Sequence, residues 1–130
     1  MEVEVKGRKS YFEVLIRPGV NDMLRQLSEL YEICVYTAAT QSYMEGCVEI
    51  IDPFGIIIDH SFSREDSSKF VKMGDALLKD LSVFLSNRHI ENVLLVDNRP
   101  QGAILSFENL IPIPDFYGQG DYENLIKELT

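Results

Sequence analysis

The spacing of apolar residues changes several times along this chain, and each change marks an element. Val3 and Val5 alternate with Glu2, Glu4 and Lys6, Gly7 supplies a turn, and Tyr11 to Ile16 supply a second arm. That alternation predicts an N-terminal β-hairpin. Arg17-Pro18-Gly19-Val20 breaks it. Val20, Met23, Leu24, Leu27 and Leu30 then recur on one face of a helix, which Pro18 is suited to start. The short apolar run Ile33 to Tyr36 reads as a strand. It ends in Thr37-Ala38-Ala39-Thr40, and a second helical pattern follows through Tyr43, Met44, Cys47, Val48 and Ile51.

Asp52-Pro53-Phe54-Gly55 is a turn, and Ile56 to Ile58 read as a strand leading to His60 and Phe62. Residues 66–84 carry a weaker helical pattern through Leu77, Leu78, Leu81 and Phe84. Val93 to Val96 is wholly apolar, as suits a strand covered on both faces of a parallel sheet, and Pro100 stops it. Gly102 to Leu105 form a short helix-like piece. Leu110 to Pro114 are apolar but proline-broken, hence an edge strand at most. Gly118-Gln119-Gly120 is a turn, and Asp121 caps a final helix from Tyr122 to Leu129. Strands thus alternate with helices, which implies an α/β sheet with right-handed crossovers.

At 130 residues and 45% hydrophobic content, the expectation is one domain with a real core. Twelve basic residues face 21 acidic ones, for a net charge of -9, and no basic cluster stands out. A duplex-binding surface needs such a cluster, so direct nucleic-acid binding is not expected. Cys34 and Cys47 form no CxxC pair and have no His cluster nearby, so they predict no zinc site. They read as buried thiols in a reducing, intracellular setting. The first ten residues lack the apolar core of a signal peptide, and no apolar run approaches a membrane span.

Two places carry candidate chemistry. Asp97 and Asn98 follow the Val93–Val96 run, at the carboxyl end of a strand, where open α/β sheets bind ligands. Their oxygens suit a hard cation such as Mg²⁺, and a plain Asn-containing turn is the alternative. At Thr37 to Thr40, a strand ends just before a helix, where backbone N–H groups and a threonine hydroxyl can hold a phosphate oxygen, or a threonine simply caps the helix. Lys69, Lys72 and Lys79 are surface charges by default, and His60 and His89 have no partners at metal-ligand spacing.

Taken in order, these pieces resemble a known domain. Arg17-Pro18-Gly19-Val20 precedes a helix, and Tyr36-Thr37-Ala38-Ala39-Thr40 follows a strand. Phe62-Ser63-Arg64-Glu65, Leu77-Leu78-Lys79-Asp80-Leu81, Val93 to Pro100, and Ile111 to Gly118 come next. The chain resembles the FCP/SCP-type C-terminal-domain phosphatases of the haloacid dehalogenase superfamily, from about Val3 to Leu129. The resemblance implies a Rossmann-like α/β fold with a mostly parallel sheet and an N-terminal β-hairpin. It implies a Mg²⁺-dependent phosphatase for phosphoserine or phosphothreonine in protein substrates such as the RNA polymerase II tail, working through an aspartyl-phosphate. Thr37 matches the threonine that hydrogen-bonds the phosphoryl group, and Lys79 the lysine that neutralises the intermediate. Asp97 and Asn98 match the acidic motif at the Mg²⁺ site. Arg64 matches an arginine near the substrate phosphate.

One expected element has no counterpart. The family carries Asp-x-Asp-x-Thr on its first, central strand, with the nucleophile and the general acid/base on the two aspartates. No Asp-x-Asp occurs in these 130 residues. The resemblance therefore implies a domain lacking its first central strand, incomplete at its N-terminal side and inactive as given. A non-catalytic phosphoprotein-binding module is the alternative. A domain like that of the mitochondrial inner-membrane translocase receptor is another, but it would call for a transit peptide and a membrane span.

Overall fold

The computed structural model describes residues 1–118, which fall into two compact units. One contains Met1–Glu65 and the described residues from Phe116 onward; the other is Asp66–Asp115. The expected cap at Asp121 and the helix from Tyr122 lie outside the described residues.

In the first unit, β1 (Glu2–Val5) pairs antiparallel with β2 (Arg8–Tyr11). The turn places Lys6 and Gly7 at φ 52° and 77°, and two successive positive values suit the right-handed twist of a tight hairpin. This turn pairs Glu2 with Tyr11, so the second arm ends where it was expected to begin. Helix α1 (Val20–Ser28) follows Gly19, which sits at φ 84° as only glycine does cheaply. The Asn21 side-chain amide donates to the Ile51 carbonyl at 2.7 Å, tying α1 to the end of the next helix.

A βαβ unit completes this part. Strand β3 (Cys34–Tyr36) runs into α2 (Gln41–Ile51), and the chain returns as β4 (His60–Phe62), parallel to β3. Ile56 to Ile58 are not the returning strand. Asp52 is 5% exposed, and its carboxylate accepts the N–H groups of Ile56, Ile57 and Ile58 at 3.0–3.1 Å. Amides spent on one carboxylate cannot form a ladder, so pairing starts later, at His60. The cysteines also depart from expectation: Cys34 is exposed and Cys47 half-buried.

In the second unit, the region with the weak helical pattern is a β-hairpin. β5 (Phe70–Met73) pairs antiparallel with β6 (Ala76–Lys79) across Gly74 at φ 61°. Its buried side chains are Phe70 and Leu78, followed by Leu81 in a 3₁₀ turn, Leu81–Phe84. β7 (Leu95–Asp97) pairs in parallel with β8 (Leu110–Pro112). A 3₁₀ segment, Pro100–Asn109, connects them and breaks helical geometry at Ala103 and Ser106. Asn109 donates to the carbonyls of Ile90 and Val93, fixing the approach to β7.

The apolar run at β7 is not covered on both faces. Leu95 and Asp97 are buried, whereas Leu94 and Val96 are 61% and 55% exposed. The expected mostly parallel sheet takes the form of two separate parallel pairs. Among the described residues every sheet is two-stranded, and the two tight hairpins are necessarily antiparallel. No helix among the described residues is long and apolar enough to cross a membrane.

Candidate functional site

The five residues singled out from the sequence divide between the units. Lys79, Asp97 and Asn98 belong to the second; Thr37 and Arg64 belong to the first.

In the second unit, two strand ends bring opposite charges together. Lys79 is the last residue of β6 and Asp97 the last of β7. The Lys79 ammonium donates to Asp97 Oδ2 at 2.5 Å, with the two side chains 15% and 7% exposed. The other carboxylate oxygen, Oδ1, accepts the Arg99 N–H at 2.9 Å. Lys72, on β5, is exposed. Asn98 is exposed too, and its side-chain amide donates to Asp115 Oδ1 at 2.6 Å.

This donor set does not fit Mg²⁺ as it stands. That ion demands about six oxygen ligands in near-ideal octahedral geometry. Asp97 already has a cation on one oxygen and an amide on the other, and Asn98 is turned to Asp115. Among the described residues, no three His, Cys, Asp or Glu side chains converge. The pair is instead an internally neutralised charge couple. Its ammonium is held in a fixed place where an anionic group could share it.

In the first unit, Thr37 and Arg64 stand at the ends of paired parallel strands. The Thr37 N–H donates to the Phe62 carbonyl, and its hydroxyl accepts the Ala39 N–H at 3.1 Å. Arg64 closes over the same loop: its N–H donates to the Ala39 carbonyl and its Nε–H to the Ala38 carbonyl at 2.8 Å. Thr37 and Arg64 are thus brought to one loop. The start of α2, however, is already satisfied from within. Thr40 is the N-cap, accepting the Tyr43 N–H, and Glu65 Oε2 accepts both the Gln41 N–H at 2.7 Å and the Ser63 hydroxyl at 2.9 Å. The helix N-terminus expected to receive a phosphate oxygen holds the chain's own carboxylate.

Ionisation follows these contacts. Burial alone would push the Glu65 carboxyl up. Hydrogen bonds from its own backbone, Ser63 and Gln41, with the charge of Arg64, outweigh burial and hold it below the ordinary carboxylate range. The Ile58 N–H, then those of Ile57, Ile56 and Gly55, hold the Asp52 carboxyl down against its desolvation. Burial pushes the Cys47 thiol up, so it is a poor nucleophile. His60 is engaged by Glu32 at 2.5 Å and stacks on Phe62, which makes it structural.

Several residues with a part in the site are not conspicuous in the sequence. Glu65 adjoins Arg64 within a noted motif, yet its role depends on α2, 24 positions away from it at Gln41. Ser106 is a hydroxyl inside an apolar run, a signal of a buried hydrogen bond, and it is 5% exposed. Asp52 reads in sequence only as part of a turn.

Comparison with known proteins decides the family. The sequence pattern of the NLI interacting factor-like phosphatases matches residues 1–130. The chain belongs to this family. It is 39% identical over 105 residues to an RNA polymerase II C-terminal domain phosphatase of Encephalitozoon cuniculi, covering 80% of this chain and 24% of that protein. It is 32% identical to a probable C-terminal domain small phosphatase of Dictyostelium discoideum, covering 98% of this chain and 40% of that one. The solved structure of Fcp1, an essential RNA polymerase II CTD phosphatase, superposes with a TM-score of 0.63 at 28% identity, over 88% of this chain and 33% of that one. The chain thus has the α/β haloacid-dehalogenase-like fold and is a C-terminal-domain-phosphatase-like domain. It spans well under half the length of these relatives.

Proposed function

We propose that this domain handles the phosphoryl group in a protein phosphatase for phosphoserine or phosphothreonine, with an RNA polymerase II tail-like phosphoprotein as substrate. Such a substrate belongs in the nucleus or cytoplasm. The observation that carries this reading is the Lys79–Asp97 pair: a fixed, largely buried ammonium at a strand end, on the residues that match the family's charge-neutralising motifs. Lys79 neutralises the phosphoryl oxygens. Within the other unit, Thr37 and Arg64, which closes over the loop that Thr37 begins, offer a hydroxyl and a guanidinium to a phosphate. Charge-assisted hydrogen bonds of this kind dominate catalysis of phosphoryl transfer.

Family members generally depend on Mg²⁺, which offsets charge on the phosphoryl oxygens when bound. The donors described here do not complete such a site, and no step is assigned to the ion. Transfer by the aspartyl-phosphate route also needs a carboxylate nucleophile in line with the phosphorus. With no Asp-x-Asp in residues 1–130, these residues alone bind a phosphorylated peptide without turning it over.

The test uses the purified chain, p-nitrophenyl phosphate with Mg²⁺, and a matched pair of serine and phosphoserine peptides. The expected result is no release of nitrophenol and tighter binding of the phosphopeptide. Equal affinity for the two peptides overturns the phosphate-binding reading. Turnover that disappears in Asp97→Asn overturns the inactivity of these residues and shows that another carboxylate serves as nucleophile.

A further inference from the structure

Lys79 can serve a phosphoryl group only if its backbone is held while its side chain spans to Asp97. The ends of β6 and β7 belong to different two-stranded sheets, so no ladder hydrogen bond sets Lys79 relative to Asp97. A side-chain contact does so instead. Ser106 Oγ accepts the Leu81 N–H at 2.8 Å and reaches the Lys79 carbonyl at 3.4 Å, as donor. One buried hydroxyl therefore brackets the end of β6. Ser106 lies on the 3₁₀ segment that leaves Asp97, at a break in its helical geometry, and Asn109 anchors the end of the same segment to the approach of β7. Ser106 thus stands on a base fixed to the Asp97 strand and grips the Lys79 strand. On the same segment, Ala103 is fully buried, leaving it little room to drift.

We infer that Ser106 is a positioning residue for Lys79: its hydroxyl sets the point from which the ammonium reaches Asp97 and any phosphoryl group presented there. The functional consequence rests on the reading of Lys79 as a phosphate-binding cation; the positioning itself does not. Leu81 N–H has no water to fall back on, because Leu81 is 3% exposed. Removing the hydroxyl leaves a buried donor unsatisfied, and the local chain must move to satisfy it.

The experiment observes the Lys79 ammonium directly by ¹⁵N NMR in the full chain, assigned by its loss in Lys79→Arg, with exposed Lys72 as an internal reference. In the wild type the Lys79 signal is expected to be resolved and distinct from that of Lys72. Ser106→Ala should move or broaden it toward the Lys72 position while the first unit's amide signals stay in place, and Ser106→Thr, which keeps the hydroxyl, should restore it. A Lys79 signal unchanged in Ser106→Ala overturns the inference, as does a wild-type signal already at the Lys72 position. If Ser106→Ala fails to fold, Ser106→Thr alone still decides: a resolved Lys79 signal there supports the hydroxyl's role, and its loss in a folded Thr variant overturns it. Phosphoserine-peptide binding separates the two readings. Ser106→Ala should weaken it roughly three- to tenfold, and Lys79→Met/Ser106→Ala should bind no more weakly than Lys79→Met alone. Loss of the NMR signal without any effect of Lys79→Met on binding would leave Ser106 in place and sink the phosphate reading instead.

Discussion

The Lys79 ammonium lies 2.5 Å from the Asp97 carboxylate, although 18 positions separate the two residues in sequence. Both side chains are largely shielded from water, so the pair offsets much of the cost of burying its two charges. Removing one partner of such a pair leaves an uncompensated charge, which typically costs about 3–5 kcal/mol. Lys79→Met should therefore lower stability to urea by about that amount. The double variant Lys79→Met/Asp97→Asn should recover much of the loss, because no charge is left stranded. Equal losses in single and double variants would show that the pair contributes nothing specific.

Asp52 predicts a pH dependence. Its folded-state affinity for a proton is below the ordinary carboxylate value, so the unfolded chain binds more protons at low pH. Its contribution is complete above the unfolded value of about 4 and is lost as the pH falls through the lower folded value. Thermal melts between pH 7 and pH 3 should show a decline in the wild type that is shallower in Asp52→Asn. Melting curves of identical pH slope would refute this.

The start of α2 is held by two of the chain's own acceptors. Thr40→Ala should cost about 0.5–1 kcal/mol, the low end for an N-cap, since its bond to the Tyr43 N–H is long at 3.4 Å. Glu65→Gln keeps an acceptor for Gln41 and Ser63 but removes the negative charge at the positive end of the helix. It should therefore destabilise α2 less than Glu65→Ala does. Amide hydrogen exchange at Gln41 and Tyr43 measures both effects. Faster exchange at neither site in any variant would contradict the capping role.

The N-terminal hairpin can be improved. Lys6 has φ 52°, a left-handed conformation in which asparagine is better tolerated than lysine. Lys6→Asn creates the Asn-Gly pair that such two-residue turns favour. It should stabilise by a few tenths of a kcal/mol, about the size of other turn optimisations. A lower melting temperature in Lys6→Asn would contradict the turn geometry.

How much of the fold and site is legible in sequence varies by residue. Helices α1 and α2 are visible, because Val20, Leu24 and Leu27 in one and Met44, Cys47 and Ile51 in the other repeat at helical spacing. The β3–α2–β4 order is visible as well, but the position of the returning strand is not. Ile56 to Ile58 have strong strand character, and the Asp52 carboxylate overrides it by taking their amides. The β5–β6 hairpin is hidden because Leu77, Leu78 and Leu81 fit a helix as well as a strand, and only Gly74 hints at a turn. At β7, burial alternates where a continuous apolar run suggests cover on both faces. Thr37 and Arg64 stand out by their motifs, but that Arg64 closes over the loop after Thr37 depends on the pairing of β3 with β4.

The sequence by itself determined α1, α2, the hairpin turn at Gly7 and the family motifs, because periodicity and turn chemistry act over a few neighbouring residues. Which polar groups meet was decided only by the tertiary structure. The Lys79 ammonium neutralises Asp97, Glu65 sits on the start of α2, and Ser106 brackets the end of β6. Each contact joins residues far apart in the chain, and each exists because a buried charge or amide must find a partner wherever folding brings one within reach.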